Sequence, residues 1–145
     1  MTTKILVGLD GSGSGERAVA YATDLAKKIG KCEIVLVYVI EWSPFTFQTP
    51  EENAERHKRR EEEIEAALSR VVNPSLEKLK DAGLKATGIV KHGDVAELLD
   101  QTAVELGAAQ IVVARASEGG LAKRIFGTST ANLVMHASVP VTVVG

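Results

Sequence analysis

Five short apolar runs alternate along the chain with longer segments that mix apolar and polar residues. Four of the runs have almost no internal alternation, which is typical of strands buried on both faces of a parallel sheet. The third run alternates, as expected for a strand nearer a sheet edge. The predicted strands are Lys4–Leu9, Glu33–Ile40, Leu84–Lys91, Gln110–Ala114 and Pro140–Val144.

Between the runs, apolar residues recur at helical spacing. Glycines mark two of the helix ends, at Gly30 and Gly107, and the Asp94–Glu97 pair has the spacing of a capping box. The predicted helices are Ala18–Ile29, Glu51–Val72 with a continuation to Gly83, Val95–Leu106 and about Thr128–His136. The resulting βαβαβαβαβ order predicts an α/β fold, a doubly wound three-layer sandwich around a mostly parallel sheet.

The segment Glu51–Val72 is strongly charged and predicts a helix with one solvated face. Its basic run His57–Arg60 adjoins Glu61–Glu63, so opposite charges pair at i,i+4 and a wet helix surface is favoured over a nucleic-acid patch. The next two residues, Asn73 and Pro74, suit the capped start of a new helix, and a kinked continuous helix is the alternative.

Composition narrows the class of protein. The chain has 145 residues, 45% hydrophobic and 25% charged, which predicts one globular domain over residues 1–145. The net charge of −2 argues against a nucleic-acid partner, and one cysteine excludes an intramolecular disulfide. We find no secretory signal and no apolar stretch of the ~20 residues that span a membrane, so a cytoplasmic location is expected.

A ligand site is expected where the strand order reverses. If the order is 3-2-1-4-5, the reversal lies between the first and fourth strands. Three segments follow strands there and differ from plain connectors, namely Gly8–Ser12, Val39–Glu41 and Ala114–Thr128. The first and last of them would face each other across a crevice.

The residues of these segments suit a nucleotide. An ionised Asp10 accepts hydrogen bonds from a ribose hydroxyl or an adenine amino group, and two valines offer apolar walls for a base. A glycine and two hydroxyl residues open the last helix, where a phosphate would meet backbone N–H groups. The candidate contacts are Gly8, Leu9, Asp10, Val39, Val113, Ala114, Arg115, Ser117, Gly127, Thr128 and Ser129. Helix capping by Asp10, Thr128 or Ser129 is the structural alternative.

The whole chain resembles the universal stress proteins, in particular single-domain, UspA-like members. The resemblance lies in KILVGLDGSGSGERAVAYATDLAKKIG, HGDVAELLDQTAVELGAAQIVVA and GGLAKRIFGTSTANLVMHASVPVTVV. It implies an adenine nucleotide alpha hydrolase-like fold with five parallel strands, and a homodimer through the last strand, Pro140–Val144. Some members bind ATP, with Mg²⁺ carried by the nucleotide, and others do not.

The phosphate motif of the ATP-binding members is incomplete here. That motif is Gly-x-x-Gly, nine residues, then Gly-Ser or Gly-Thr; the chain has Gly127–Thr128 but carries Ala114 and Ser117 at the two leading glycine positions. An alanine at positive φ costs on the order of 1 kcal/mol, and its methyl group would occupy phosphate space. We therefore expect weakened ATP binding by a dimeric stress-response or signalling protein. The alternative is a dimeric interaction module without nucleotide.

Catalysis is the weakest hypothesis. The chain has no Gly-Lys-Ser/Thr motif of the Walker type and no G-x-S-x-G nucleophile motif. Its three histidines, His57, His92 and His136, are far apart in the sequence and have no obvious catalytic partner. At most, slow ATP hydrolysis is expected.

Overall fold

The computed structural model describes residues 2–10, 13–41, 50–115 and 129–145. Five parallel strands form one sheet in the order β3-β2-β1-β4-β5, as predicted. The strands are β1 (Thr3–Leu9), β2 (Cys32–Glu41), β3 (Lys85–Gly93), β4 (Gln110–Ala114) and β5 (Val141–Val144).

Helices cover both faces of the sheet, which confirms the three-layer prediction. They are α1 (Gly13–Ile29), α2 (Pro50–Ala67), α3 (Asn73–Asp81), α4 (Val95–Leu106) and α5 (residues 129–136). One face of the sheet packs against α1 and α3, through side chains such as Ala22 and Leu79. The opposite face packs against α4 and α5, through Leu99 and Leu133. Among the described residues, no helix is long and apolar enough to cross a bilayer.

The charged middle of the chain is helical without a break. A π-helical turn, Leu68–Val72, joins α2 to α3. Asn73 has helical dihedral angles, φ −59° and ψ −41°, so the prediction of a new helix capped by Asn73 is wrong and the continuous alternative is right. The reason is packing, because the wide turn presses Val72 onto β3 at Gly88, where a Cβ would collide with Val72 Cγ1.

The ends of α4 follow the predicted local chemistry. The Asp94 carboxylate accepts a hydrogen bond from the Glu97 backbone N–H at 3.0 Å. Gly107 closes the helix in the left-handed conformation, with φ 68°, which glycine adopts without steric cost. Local sequence therefore sets both ends of this helix.

The two neighbours of β1 define the reversal of strand order. Residues Thr3–Leu9 pair with β2 on one side, and the segment from Ile5 to Val7 pairs with β4 on the other. The chain leaves β1 towards α1 on one face of the sheet and leaves β4 towards α5 on the opposite face. The carboxyl ends of β1 and β4 are therefore adjacent with diverging connections, which is where such sheets bind ligands.

Candidate functional site

Polar residues follow the three central strands at this edge of the sheet. Asp10 comes directly after β1, Glu41 ends β2 and Arg115 comes directly after β4. Because β1 lies between β2 and β4, these residues surround the end of β1. Asp10 and Arg115 were predicted as site residues, whereas Glu41, in the predicted segment Val39–Glu41, was given no individual role.

The predicted apolar residues divide between the two faces of the sheet. Gly8, Val39 and Val113 lie on the face covered by α4, where a Cβ on Gly8 would come within 3.0 Å of Val113 Cγ1. Leu9 lies on the face covered by α1 and is buried in that core. Val39 is 8% exposed and Val113 only 1%. Both valines therefore belong to the buried core on this face, and Val39 is the slightly more exposed of the two.

Asp10 lies close to the start of α1. Its Oδ1 is 3.5 Å from the position that a Cβ on Gly15 would occupy. Burial, together with the charge of Asp10, raises the pKa of Tyr38, whose side chain packs on the same face of the sheet as α1. A carboxylate near the amino end of a helix stabilises that helix, so the capping alternative for Asp10 and the ligand role both agree with its position.

Ala114 does not have the conformation expected for a glycine position. No non-glycine residue in the described ranges has a positive φ, and Ala114 pairs with Val144 as the last residue of β4. Its methyl group is 1% exposed and belongs to the core beneath α1. The predicted cost of a positive φ at Ala114 is therefore wrong, because its backbone is extended. The predicted clash with phosphate is also wrong, because the methyl group packs in the core.

Arg115 has both of its main-chain polar groups bound. Its N–H donates to the Val144 carbonyl at 2.7 Å, and its carbonyl accepts from Arg17 Nη2 at 2.7 Å. Arg17, on α1, was not among the predicted site residues. The helical pattern of α1 gave no signal for it, since contact with a residue 98 positions later is a tertiary feature.

Ser129, at the start of α5, forms a hydrogen bond with the end of β2. Its hydroxyl donates to Glu41 Oε1 at 3.4 Å. Thr130 follows with its Oγ1 buried and without a hydrogen-bond partner among the described residues. The other predicted phosphate contacts, Ser117, Gly127 and Thr128, lie outside the described residues.

Two histidines contact glutamates, and the cysteine is buried. His92 Nε2 contacts Glu63 Oε2 at 2.9 Å, and His57 contacts Glu61 one helical turn away. Cys32 is buried, and burial raises the pKa of its thiol. Within the described part of the chain, no group of three or more histidine, cysteine, aspartate or glutamate side chains is arranged to hold a metal ion.

Comparison with known proteins agrees with this architecture. The sequence profile of the universal stress protein family matches residues 1–145. A universal stress family protein from Burkholderia pseudomallei is 28% identical, with a TM-score of 0.69 over 98% of this chain and 95% of that one. No curated protein sequence matches the chain with statistical significance.

Two further similar structures contain nucleotides. A universal stress protein in complex with cAMP is 20% identical, with a TM-score of 0.69 over 99% of this chain and 96% of that one. A family protein from Arabidopsis thaliana with AMP bound is 20% identical, with a TM-score of 0.65 over 98% of this chain and 90% of that one. On the match of the family profile over its whole length, this chain belongs to the universal stress protein family.

Proposed function

We propose that this protein binds an adenine nucleotide at the carboxyl edge of its sheet, between the ends of β1 and β4. The observation that carries the proposal is that Asp10 and Arg115 follow these adjacent strands where the strand order reverses. The AMP and cAMP bound to two structural relatives support the choice of ligand class.

The described residues divide the site into two ends. The base would lie against Val39, and Asp10 would accept a hydrogen bond from the ribose or the adenine amino group. The phosphates would lie towards Arg115 and Ser129, with Ser117, Gly127 and Thr128 as further candidates from the sequence. Mg²⁺ is expected to arrive with ATP, since phosphate oxygens and water supply most of its ligands in such complexes. We propose no catalytic residue.

A second candidate function is a dimeric interaction module that does not bind nucleotide. The contact of Ser129 with Glu41 favours it, because a carboxylate at a predicted phosphate ligand repels an incoming anion. ATP binding and this alternative make opposite predictions for a direct binding measurement.

We also propose that the protein is a homodimer through β5, which ends the sheet and pairs only with β4 among the described strands. Bare strand edges favour pairing with another chain. Val143 on β5 is 42% exposed, and Val134 and Met135 on α5 are 53% and 76% exposed. A second copy of the chain would pair with this edge and cover apolar surface. The cytoplasmic location stays a prediction.

The test is to purify the protein without added nucleotide, precipitate it, and identify any released adenine nucleotide by absorbance and mass. A thermal shift with ATP and Mg²⁺ follows. At a nucleotide concentration of about 100 times Kd, binding stabilises the folded state by about 2.7 kcal/mol, so a clear rise in Tm is expected. If no nucleotide is released and millimolar ATP does not raise the Tm, the interaction module is favoured.

Ser117→Gly is the informative variant of the phosphate motif, because it restores one missing glycine. We expect it to tighten ATP binding. Ala114→Gly is a poorer test than the sequence indicates, because the Ala114 methyl group fills core space beneath α1 and its loss destabilises the fold. Unchanged affinity in Ser117→Gly would contradict the account of the incomplete motif.

A further inference from the structure

An arginine on α1 holds the end of β4. Arg17 Nη2 donates to the Arg115 carbonyl at 2.7 Å, across a sequence separation of 98 positions. Arg115 is the first residue after β4 and the second residue of the predicted segment Ala114–Thr128. Arg17 therefore acts on the main chain at the point where the chain leaves the sheet for the proposed site.

The peptide groups of Arg115 are held from two directions. The N–H is bound by the Val144 carbonyl of β5 at 2.7 Å, and the carbonyl is bound by Arg17 from α1. No other donor among the described residues hydrogen-bonds to this carbonyl. Arg17 therefore helps to hold the last described residue after β4 in place.

The surroundings of Arg17 are unusual for an arginine. The side chain is partly buried, and its Nε is fully buried with no hydrogen-bond acceptor in the described part of the chain. It makes no ion pair with a described carboxylate. A guanidinium group keeps its charge, so a positive charge with no ion-pair partner among the described residues lies beside the proposed phosphate end of the site. A nearby polyanion would compensate it.

We propose that Arg17 is a positioning residue for the phosphates of the bound nucleotide. It orients the exit of β4 by binding the Arg115 carbonyl, and its charge favours a polyanion at that exit. The inference rests on the proposed nucleotide site. It requires that the contribution of Arg17 grows with the number of phosphates and is small for the nucleoside.

The test is the affinity of wild type and Arg17→Met for adenosine, AMP, ADP and ATP, measured by calorimetry. Arg17→Met should weaken ATP binding about tenfold and leave adenosine binding within about twofold. Lys28→Met is the matched control, because it removes the same charge from the far end of α1 and should change neither affinity. Arg17→Lys keeps the charge without the planar guanidinium group. Its ratio of ATP affinity to adenosine affinity should lie between those of wild type and Arg17→Met.

The outcomes separate this inference from the proposed function. If wild type binds ATP and Arg17→Met weakens adenosine and ATP equally, or neither, the positioning role is overturned and the nucleotide site stands. If wild type binds no nucleotide, the proposed function fails and this inference with it. If Arg17→Met does not fold, as judged by circular dichroism, Arg17→Lys is the test. A ratio of ATP to adenosine affinity equal to that of wild type overturns the positioning role, and a lower ratio supports it.

Discussion

Glu41 brings a negative charge to the edge of the sheet where phosphates are proposed to bind. It ends β2, and its Oε1 accepts the hydrogen bond of the Ser129 hydroxyl at 3.4 Å. A phosphate bound at Ser129 would have to displace this contact or lie beside it. Both arrangements weaken binding, because like charges in proximity repel each other.

Replacing Glu41 by Gln is therefore predicted to tighten ATP binding about two- to fivefold. The estimate corresponds to about 0.4–1 kcal/mol, the upper part of the range in which two exposed charges interact. Calorimetric titration with ATP measures the effect. Glu33→Gln removes the same charge from the opposite end of β2, so equal affinity changes in the two variants would contradict the prediction.

Single residues at the site were only partly predictable. Asp10, Arg115 and Ser129 could be proposed from the sequence, because their side chains suit a nucleotide and they follow predicted strands or open a predicted helix. The conformation of Ala114 was not, since a motif position says nothing about which face of the sheet a side chain joins. Arg17 was missed, and Glu41 was named only as part of the segment Val39–Glu41, because their contacts join residues 98 and 88 positions apart.

At the scale of elements, the π-helical turn between α2 and α3 is the least regular feature of the described fold. It directs Val72 onto Gly88 of β3, where there is no room for a Cβ. Val72 is fully buried as a result. The close approach of helix and strand depends on this one glycine.

Gly88→Ala is predicted to lower the free energy of unfolding by about 1–3 kcal/mol, because an added methyl group overpacks the interface. Urea denaturation measures the change. Val72→Ala in the same chain should recover part of the loss, because it removes the colliding atom, so the effects of the two substitutions should not add. A Cβ on Gly145 meets nothing within 4 Å, so Gly145→Ala is the control. Additive losses would contradict the proposed collision.

Element types followed from local sequence more reliably than the joints between elements. The capped start of α4 at Asp94 and its glycine end were predicted correctly, because both signals act within one helical turn. The π-helical turn was not predicted, since Asn73 and Pro74 carry a local signal for a helix start that packing against β3 overrides. Propensity is a weak guide where a buried contact competes with it.

At the scale of the whole molecule, β5 is an edge strand that pairs only with β4 among the described strands. It is held to β4 through four residue pairs, including Val113–Val143. The same strand binds Arg115 through the Val144 carbonyl. The proposed dimer edge and the proposed phosphate end are therefore linked through one residue at the end of β4.

Val143→Asp is predicted to convert the proposed homodimer to a monomer, because it introduces a charge into the buried pairing of two β5 strands. Sedimentation velocity measures the change in mass. Val104→Asp is the matched control, since Val104 is 55% exposed on α4, away from β5. A wild-type monomer, or a Val143→Asp dimer, would contradict the proposed interface.

The sequence by itself determined the strands, the helix ends of α4, the parallel architecture and the family, because apolar periodicity and capping act over a few residues and the family pattern runs through the whole chain. The tertiary structure decided which face each residue joins and which distant groups meet. Ala114 lies in the core, Arg17 binds the Arg115 carbonyl and Glu41 contacts Ser129 for this reason. Such contacts depend on crossovers between strands far apart in the chain, and no local pattern encodes them.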